Sequence, residues 1–188
     1  MNAIPEEFYS GRDTATIARD LLGKVLVRVT PSGLISGVIM ETEAYLATGD
    51  PASHSFRGPT RRNRPMYGPP GSSYIYISYG IHRCFNVVCQ PEGVPEAVLL
   101  RALQPLEGVD LMRSRRGGAP DKQLVNGPGK LCQALAIDLN LNGHPLQQPP
   151  LYILPGARPA AVRVTPRIGI SVGTDLPLRF LASSSIKA

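Results

Sequence analysis

Tryptophan is absent from this chain of 188 residues, and only three cysteines occur. Cys84, Cys89 and Cys132 lie in apolar runs and form no CxxC pair, which argues against a disulfide framework and favours buried, reduced thiols. No apolar stretch approaches the ~18 residues that cross a bilayer, and the first residues lack the basic and then apolar pattern of a secretory leader. We therefore expect a protein that is neither secreted nor membrane-bound.

Motifs for several common chemistries are also missing. The three histidines, His54, His82 and His144, have no HExxH or cysteine partners, so the sequence implies no metal. Residues 126–135 (NGPGKLCQAL) lack the spacing of a phosphate loop, although an anion contact at the start of their helix stays open. No GxSxG elbow occurs, and no cysteine has a nucleophile context.

Acidic residues are outnumbered, with 14 Asp and Glu against 20 Lys and Arg and a formal charge of +6. This excess favours acidic partners such as nucleic acid, although a merely soluble basic protein has the same balance. The arginines form two groups, which we interpret as a phosphate-binding face. The first group contains Arg57, Arg61, Arg62 and Arg64, and the second contains Arg113, Arg115 and Arg116.

The first half of the chain predicts a short helix and two hairpins. Asp13 is predicted to cap the helix, and residues 24–29 and 34–45 to form the first hairpin. Residues 48–71 are rich in Pro, Gly and Arg and predict a long irregular segment that carries function. Strands at 74–78 and 82–89 form the second hairpin, with Tyr79 and Gly80 at its tip.

The second half predicts a buried strand at 97–103 and short strands at 151–154, 161–164 and 178–181, with helices at 105–116 and 129–139. Strands that follow one another through hairpins predict an antiparallel sheet. The hydrophobic fraction of 43% is enough for one core, so we expect residues 1–188 to form a single domain. The predicted fold class is α+β, with a curved, open-barrel-like sheet flanked by helices and a protruding hairpin.

Alternation on the second strand places Glu41, Glu43 and Tyr45 on one face, so a carboxylate stands beside an aromatic ring. A solvated strand face explains the same spacing. Arg101 is the only charge in AVLLRAL, and burial without a partner is expensive, which predicts a structural ion pair or a site role equally well.

Tyrosines gather on the second hairpin. Tyr74 and Tyr76 share one face of its first strand, and Tyr79 at the tip is either an exposed wedge for stacked bases or a turn residue lying along its own hairpin.

Seven segments resemble the alkyladenine type of 3-methyladenine DNA glycosylase. They span nearly the whole chain in order. The segments are ARDLLGKVLVR (18–28), GVIMETEAYLA (37–47), HSFRGPTRRNRPMYG (54–68), YIYISYG (74–80), LLRALQPLEG (99–108), NGPGKLCQALAI (126–137) and PRIGIS (166–171).

The resemblance implies roles for the candidate residues. Tyr79 intercalates as a damaged base is flipped out of duplex DNA, Glu43 is the general base, and Arg101 helps to hold the attacking water. The pocket residues implied are Tyr45, His54 and Tyr76, which stack on the base, and Asn86, which excludes the exocyclic amine of guanine. The first arginine group and the lysine of residues 126–135 are then our candidates for contacts with the DNA backbone: Arg57, Arg61, Arg62, Arg64 and Lys130.

The resemblance further implies a monofunctional, monomeric glycosylase without cofactor that leaves an abasic site. It implies a location in the cytoplasm or nucleoid, or in the nucleus of a eukaryote. His82 and Ser78 depart from the family pattern, so the way in which the hairpin contacts DNA does not carry over. The chain also ends soon after LPLRFLASSSIKA, so the C-terminal DNA contacts of larger relatives do not carry over either. Two other interpretations stay open: a non-catalytic nucleic-acid-binding module, and a small-molecule hydrolase that uses Glu43 and Arg101.

Overall fold

The computed structural model describes residues 2–183 and contains eight antiparallel strands and three helices of two turns each. The strands are β1 (Val25–Thr30), β2 (Gly33–Tyr45), β3 (Ser73–Ser78), β4 (His82–Cys89), β5 (Glu96–Glu107), β6 (Leu151–Leu154), β7 (Val162–Thr165) and β8 (Arg179–Ala182). The helices are α1 (Thr14–Asp20), α2 (Val109–Arg115) and α3 (Pro128–Ala134).

One sheet contains all eight strands, in the order β3-β4-β5-β2-β1-β6, with β8 added beside β2 and β7 beside β8. Strand β2 is the axis of the sheet. It pairs with β5 along one edge, and along the other edge it pairs first with β1 and then, at residues 41–43, with β8. The sheet therefore curls into a half-barrel, and the predicted α+β class with a curved antiparallel sheet is confirmed.

Local sequence explains most element ends. Asp13 accepts the backbone N–H of Thr16 at 2.8 Å, which confirms it as the cap of α1. Strands β4 and β6 have the predicted bounds, and Tyr79 and Gly80 occupy the hairpin tip with φ of 48° and 74°. Residues 48–71 are irregular apart from one 3₁₀ turn at Arg64–Tyr67, as predicted.

Two helix predictions need correction. Helical spacing predicted a helix from residue 105, but Pro105 pairs with Gly37 and β5 continues to Glu107, so α2 begins only at Val109. Proline has no backbone N–H to donate within a sheet, but Pro105 lies where the register between β2 and β5 shifts, and proline is accepted at such irregularities. The predicted helix 129–139 ends at Ala134, because Ala136 takes a positive φ of 49°, and Leu139–Leu141 is a separate 3₁₀ turn.

The main core lies between the sheet and the helices. It includes fully buried Ile17, Leu26, Phe85, Leu100 and Leu131. Cys84, Cys89 and Cys132 are buried free thiols, as expected. No helix within residues 2–183 is long and apolar enough to cross a membrane.

Candidate active site

A row of side chains crosses four strands of the sheet. Tyr74 on β3 lies opposite Asn86 on β4, Asn86 opposite Leu99 on β5, and Leu99 opposite Glu43 on β2. Directly opposite residues on neighbouring strands point to the same face, so these four share one side of the sheet. Antiparallel register alone thus brings residues 43 and 74 into one site.

A cavity of about 440 Å³ opens over this row. Strands β2, β3, β4 and β5, the irregular segment 48–71, the start of α3 and the loop at 168–170 supply its walls. The lining residues include Tyr45, His54, Tyr74, Tyr76, Asn86, Leu99, Arg101, Lys130 and Ile168. All four predicted pocket residues are therefore brought together.

Aromatic rings dominate one side of the cavity. The rings of His54 and Tyr76 meet edge-on with centroids 4.4 Å apart, and those of Tyr74 and Tyr76 lie 5.7 Å apart. His54 Nδ1 is 2.8 Å from the Tyr74 hydroxyl, and the Asn63 amide donates to the His54 carbonyl at 2.8 Å. These bonds fix the otherwise irregular segment against β3. Burial, and then the nearby Arg62, lower the pKa of His54, which favours a neutral ring.

Glu43 lies directly behind the cavity wall, with no exposed surface. Its Oε2 accepts bonds from the Tyr45 hydroxyl and from Arg101 Nη1, both at 3.1 Å, and its Oε1 accepts the Ile168 N–H at 3.0 Å. Tyr45, Arg101 and Ile168 all line the cavity, so the carboxylate contacts three of its walls. The alternative of a solvated strand face is wrong.

Burial and hydrogen bonding act on Glu43 in opposite directions. Burial raises the pKa of the carboxyl, while the positive charge of Arg101 and the two neutral donors lower it, and the net shift is upward. Burial also raises the pKa of the Tyr45 phenol, which keeps the hydroxyl protonated as a donor. Glu43 is therefore a stronger base than an exposed glutamate: its carboxylate, once ionised, takes up a proton more readily.

Arg101 owes its position to an irregularity in the sheet. Glu41 pairs with Ala102 and Thr42 with Leu100, so the register passes over Arg101. Such irregularities re-aim side chains and are common beside active sites. The guanidinium pairs with Glu41 and Glu43, which confirms the expected buried partner.

Asn86 is held rigidly in the cavity. It is buried, and its Nδ2 donates to the Tyr74 carbonyl at 3.0 Å. A carbonyl only accepts, so this contact fixes which end of the amide is the nitrogen.

The hairpin tip and the first arginine group lie at the surface. Tyr79 is 87% exposed, which excludes the alternative that it lies along its own hairpin. Arg57, Arg61 and Arg64 are exposed, and none of them forms an ion pair within residues 2–183. Arg62 instead lies 5.4 Å from the Tyr76 ring and donates to the Ile77 carbonyl at 2.7 Å, so it also braces the hairpin.

Two other basic predictions have internal contacts. Lys130 lines the cavity and donates to Asn126 Oδ1 at 2.9 Å. The second arginine group has partners within its own fold: Arg113 pairs with Asp110 and Asp121, and Arg116 bonds Gln133, so its phosphate-binding role stays a prediction. These charges are largely neutralised or engaged by their own fold.

Sequence reasoning missed a buried ion pair beside the site. Both Arg167 and Asp50 side chains have no exposed surface, and they form two bonds of 2.6 Å. Arg167 Nη1 also donates to the Ala44 carbonyl, and the next residue, Ile168, supplies the N–H to Glu43. The only sequence signal was that residue 167 falls in one of the resembling segments. Within residues 2–183, no group of three or more His, Cys, Asp or Glu side chains could hold a metal ion.

An aromatic cavity with a buried carboxylate behind its wall, in a half-barrel sheet that also carries a tyrosine-tipped hairpin, has the shape and chemistry to receive a flat ring. Comparison with known proteins makes the class specific. Residues 7–186 match the family model described as methylpurine-DNA glycosylase. The chain belongs to this family, and it is an enzyme of the DNA glycosylase class, with DNA as its substrate.

Similar proteins cover nearly the whole chain. The match to a protein of Rubrobacter xylanophilus is 56% identical and covers 86% of this chain and 85% of that one. Matches of 49% identity cover 94% and 93% of the two chains for Carboxydothermus hydrogenoformans, and 97% and 96% for Methanoculleus marisnigri. All three carry the name "Putative 3-methyladenine DNA glycosylase".

Proposed function

We propose that this chain flips alkylated or deaminated purines out of duplex DNA and hydrolyses their N-glycosidic bond with a water activated by Glu43. The substrates belong to the class of 3-methyladenine, 7-methylguanine, hypoxanthine and ethenoadenine, and the product is an abasic site. The observation that carries the proposal is the contact of a buried carboxylate with Tyr45 and Arg101, two walls of a ring-lined cavity.

The rings select electron-poor bases. Tyr45, His54 and Tyr76 offer faces and edges on which a purine stacks, and a positive charge on an alkylated purine strengthens that contact. A neutral His54 adds no repulsion toward the cationic base. The rigid Asn86 crowds the exocyclic amine of guanine, so exclusion rather than attraction rejects normal guanine.

Glu43 has a lone pair available to accept a hydrogen bond from a water. Each carboxylate oxygen has two lone pairs, and within residues 2–183 Oε1 accepts only the Ile168 N–H. The proposed site of the attacking water is this second lone pair, on the oxygen that Ile168 of the cavity lining also binds. As the bond to the sugar breaks, the carboxylate stabilises the developing sugar cation and takes the proton of this water.

The leaving group needs little help when it is alkylated. An alkylated purine loses its positive charge as the glycosidic bond breaks. Cleavage of the DNA strand afterwards would require an amine nucleophile, and Lys130, the lysine of the cavity lining, is tied to Asn126. We therefore propose a monofunctional enzyme, which acts as a monomer and requires no metal or cofactor.

DNA contacts follow from the exposed groups. Tyr79 fills the gap left by the flipped nucleotide, and Arg57, Arg61, Arg62 and Arg64 bind backbone phosphates, with Lys130 at the cavity. This proposal includes the hairpin's role as the DNA-binding element.

Release of free purines from an alkylated duplex tests the activity. Glu43→Gln is expected to abolish release while affinity for lesion DNA stays within a few fold, since the amide keeps the size of the side chain. Glu107→Gln, an exposed residue on the same sheet, is the matched control and keeps full activity.

Other outcomes point to the alternatives. Binding to duplex without any release of purine by the parent protein supports a nucleic-acid-binding module. No duplex binding even at low salt supports a small-molecule hydrolase. Full release by Glu43→Gln removes Glu43 as the base.

A further inference from the structure

Glu43 is one end of a chain of four charges, which we call the charge chain: Arg179, Glu41, Arg101 and Glu43. Glu41 Oε1 accepts a bond from Arg179 Nε at 2.7 Å and another from Arg101 Nε at 2.9 Å. Arg101 Nη1 then reaches Glu43 Oε2 at 3.1 Å. One guanidinium is therefore shared by two carboxylates, and the outer carboxylate is shared by two guanidinium groups.

The fold sets this alternation. At residues 41–43, β2 pairs with β5 on one side and with β8 on the other. Arg101 therefore approaches the two acids from β5, and Arg179, the register partner of Glu43, approaches from β8. Among the residues that the structure describes, this is the part of β2 that is paired with both strands.

Burial makes the sharing consequential. Side-chain exposure is 17% for Arg179 and Glu41, 13% for Arg101 and 0% for Glu43. Charges interact more strongly where water is excluded. Glu43 is the most buried of the four, so the charges of the other three have their largest effect on its ionisation. Arg101 favours the ionised form of Glu43, Glu41 opposes it, and Arg179 offsets the charge of Glu41.

We propose that Glu41 and Arg179 are positioning residues that set the proton affinity of Glu43 by dividing the charge of Arg101 between two carboxylates. This inference rests on the proposed function of Glu43 as the general base. Neither residue lines the cavity, so they act through Arg101 rather than by touching the flipped base.

The other groups around Glu43 do not titrate near neutral pH. Tyr45 on β2 and Cys84 on β4 both have a pKa raised by burial, and Arg167 is held in its ion pair with Asp50. Ile168 contributes a backbone N–H only. His54 also lines the cavity, and burial lowers its pKa, so its protonation contributes to the acidic limb in the parent and in every variant. The difference in acidic midpoint between the variants therefore reports Glu43.

Opposite shifts are expected from two variants. In Glu41→Gln, Glu43 is the remaining carboxylate partner of Arg101, so the ionised form of Glu43 is stabilised. The pKa of Glu43 therefore falls, and the midpoint of the acidic limb moves to lower pH. In Arg179→Gln the unbalanced Glu41 draws Arg101 away, so the midpoint moves up. Each shift is expected to be about half a pH unit or more.

Single-turnover release of 7-methylguanine from a duplex measures the midpoint. This base is cationic and leaves without being protonated, so protonation of the leaving group does not add a second pH dependence. Excess enzyme removes effects on DNA binding, and the rate without enzyme is subtracted at each pH. Glu107→Gln and Arg163→Gln make the same charge changes at exposed positions and keep the parent midpoint.

The outcome separates this inference from the proposed function. Midpoints that stay at the parent value, or that move in the same direction, overturn the inference while an inactive Glu43→Gln leaves the base assignment intact. A purely structural role lowers the rate or the unfolding temperature without moving the two midpoints apart. If Glu43→Gln remains active, the base assignment itself fails.

Discussion

The guanidinium of Arg167 lies 4.6 Å from the centre of the Tyr45 ring. Tyr45 lines the cavity and Arg167 does not, so the cation supports the ring from behind. The same guanidinium is bound to Asp50, while the N–H of Ile168, the next residue, holds Glu43. One buried ion pair thus fixes both a stacking wall and the proposed base.

Asp50→Asn leaves the Arg167 charge buried without its partner. The free energy of unfolding is expected to fall by about 3–5 kcal/mol, measured by denaturant unfolding. Asp50→Asn combined with Arg167→Met removes both charges and keeps an acceptor for the N–H of Leu46, so the double variant is expected to be more stable than the single one. Equal stability of the two would show that the unpaired charge is not the cause.

Tyr79→Asn removes the ring at the hairpin tip and keeps a residue that tolerates the positive φ of 48°. Affinity for lesion duplex is expected to fall about tenfold or more through lost stacking. The free energy of unfolding changes by less than about 0.5 kcal/mol, because the side chain is exposed. Tyr79→Phe is the control and retains affinity; equal loss in both variants contradicts a stacking role.

Arg57→Gln combined with Arg61→Gln tests the phosphate contacts. The slope of log affinity against log salt is expected to become shallower by about 0.9 for each lost contact. Arg113→Gln serves as the comparison, since Arg113 is already paired with Asp110 and Asp121, and its slope should match that of the parent. Unchanged slopes in the double variant place the DNA elsewhere.

Asn86→Ser opens the cavity where the amide is fixed to the Tyr74 carbonyl. Release of normal guanine from undamaged duplex is expected to rise above the parent rate, because the exclusion is lost. Chromatography of freed bases measures it. A folded variant that still ignores guanine shows that Asn86 is not the barrier.

Glu43→Gln is expected to stabilise the fold at neutral pH. Burial raises the pKa of Glu43 in the folded chain above its ordinary value of 4.5. The unfolded chain then releases the proton first, so stability is lost as the pH rises from that value through the folded pKa. Gln avoids this loss, and Arg101 keeps Glu41 as a partner.

Thermal unfolding of both proteins across a pH series measures the effect. The gain from Gln is expected to be full above the folded pKa and to vanish below about pH 4. A variant that is less stable than the parent at neutral pH contradicts this account.

The sequence by itself determined the features that depend on neighbouring residues. Period-two alternation placed Tyr74 and Tyr76 on one strand face and Glu43 beside Tyr45, and the turn residues placed Tyr79 at a hairpin tip. These outcomes follow from local backbone geometry, which operates over a few residues.

Only the tertiary structure decided which distant groups meet. Arg167 and Asp50 are 117 residues apart, and Glu41 and Arg179 are 138 apart, so no local pattern could pair them. Strand pairing also overruled the helical spacing after Pro105, and internal partners neutralised Arg113. Such contacts form only when the sheet closes, because the register of β2 with β5 and β8 fixes which charges become neighbours.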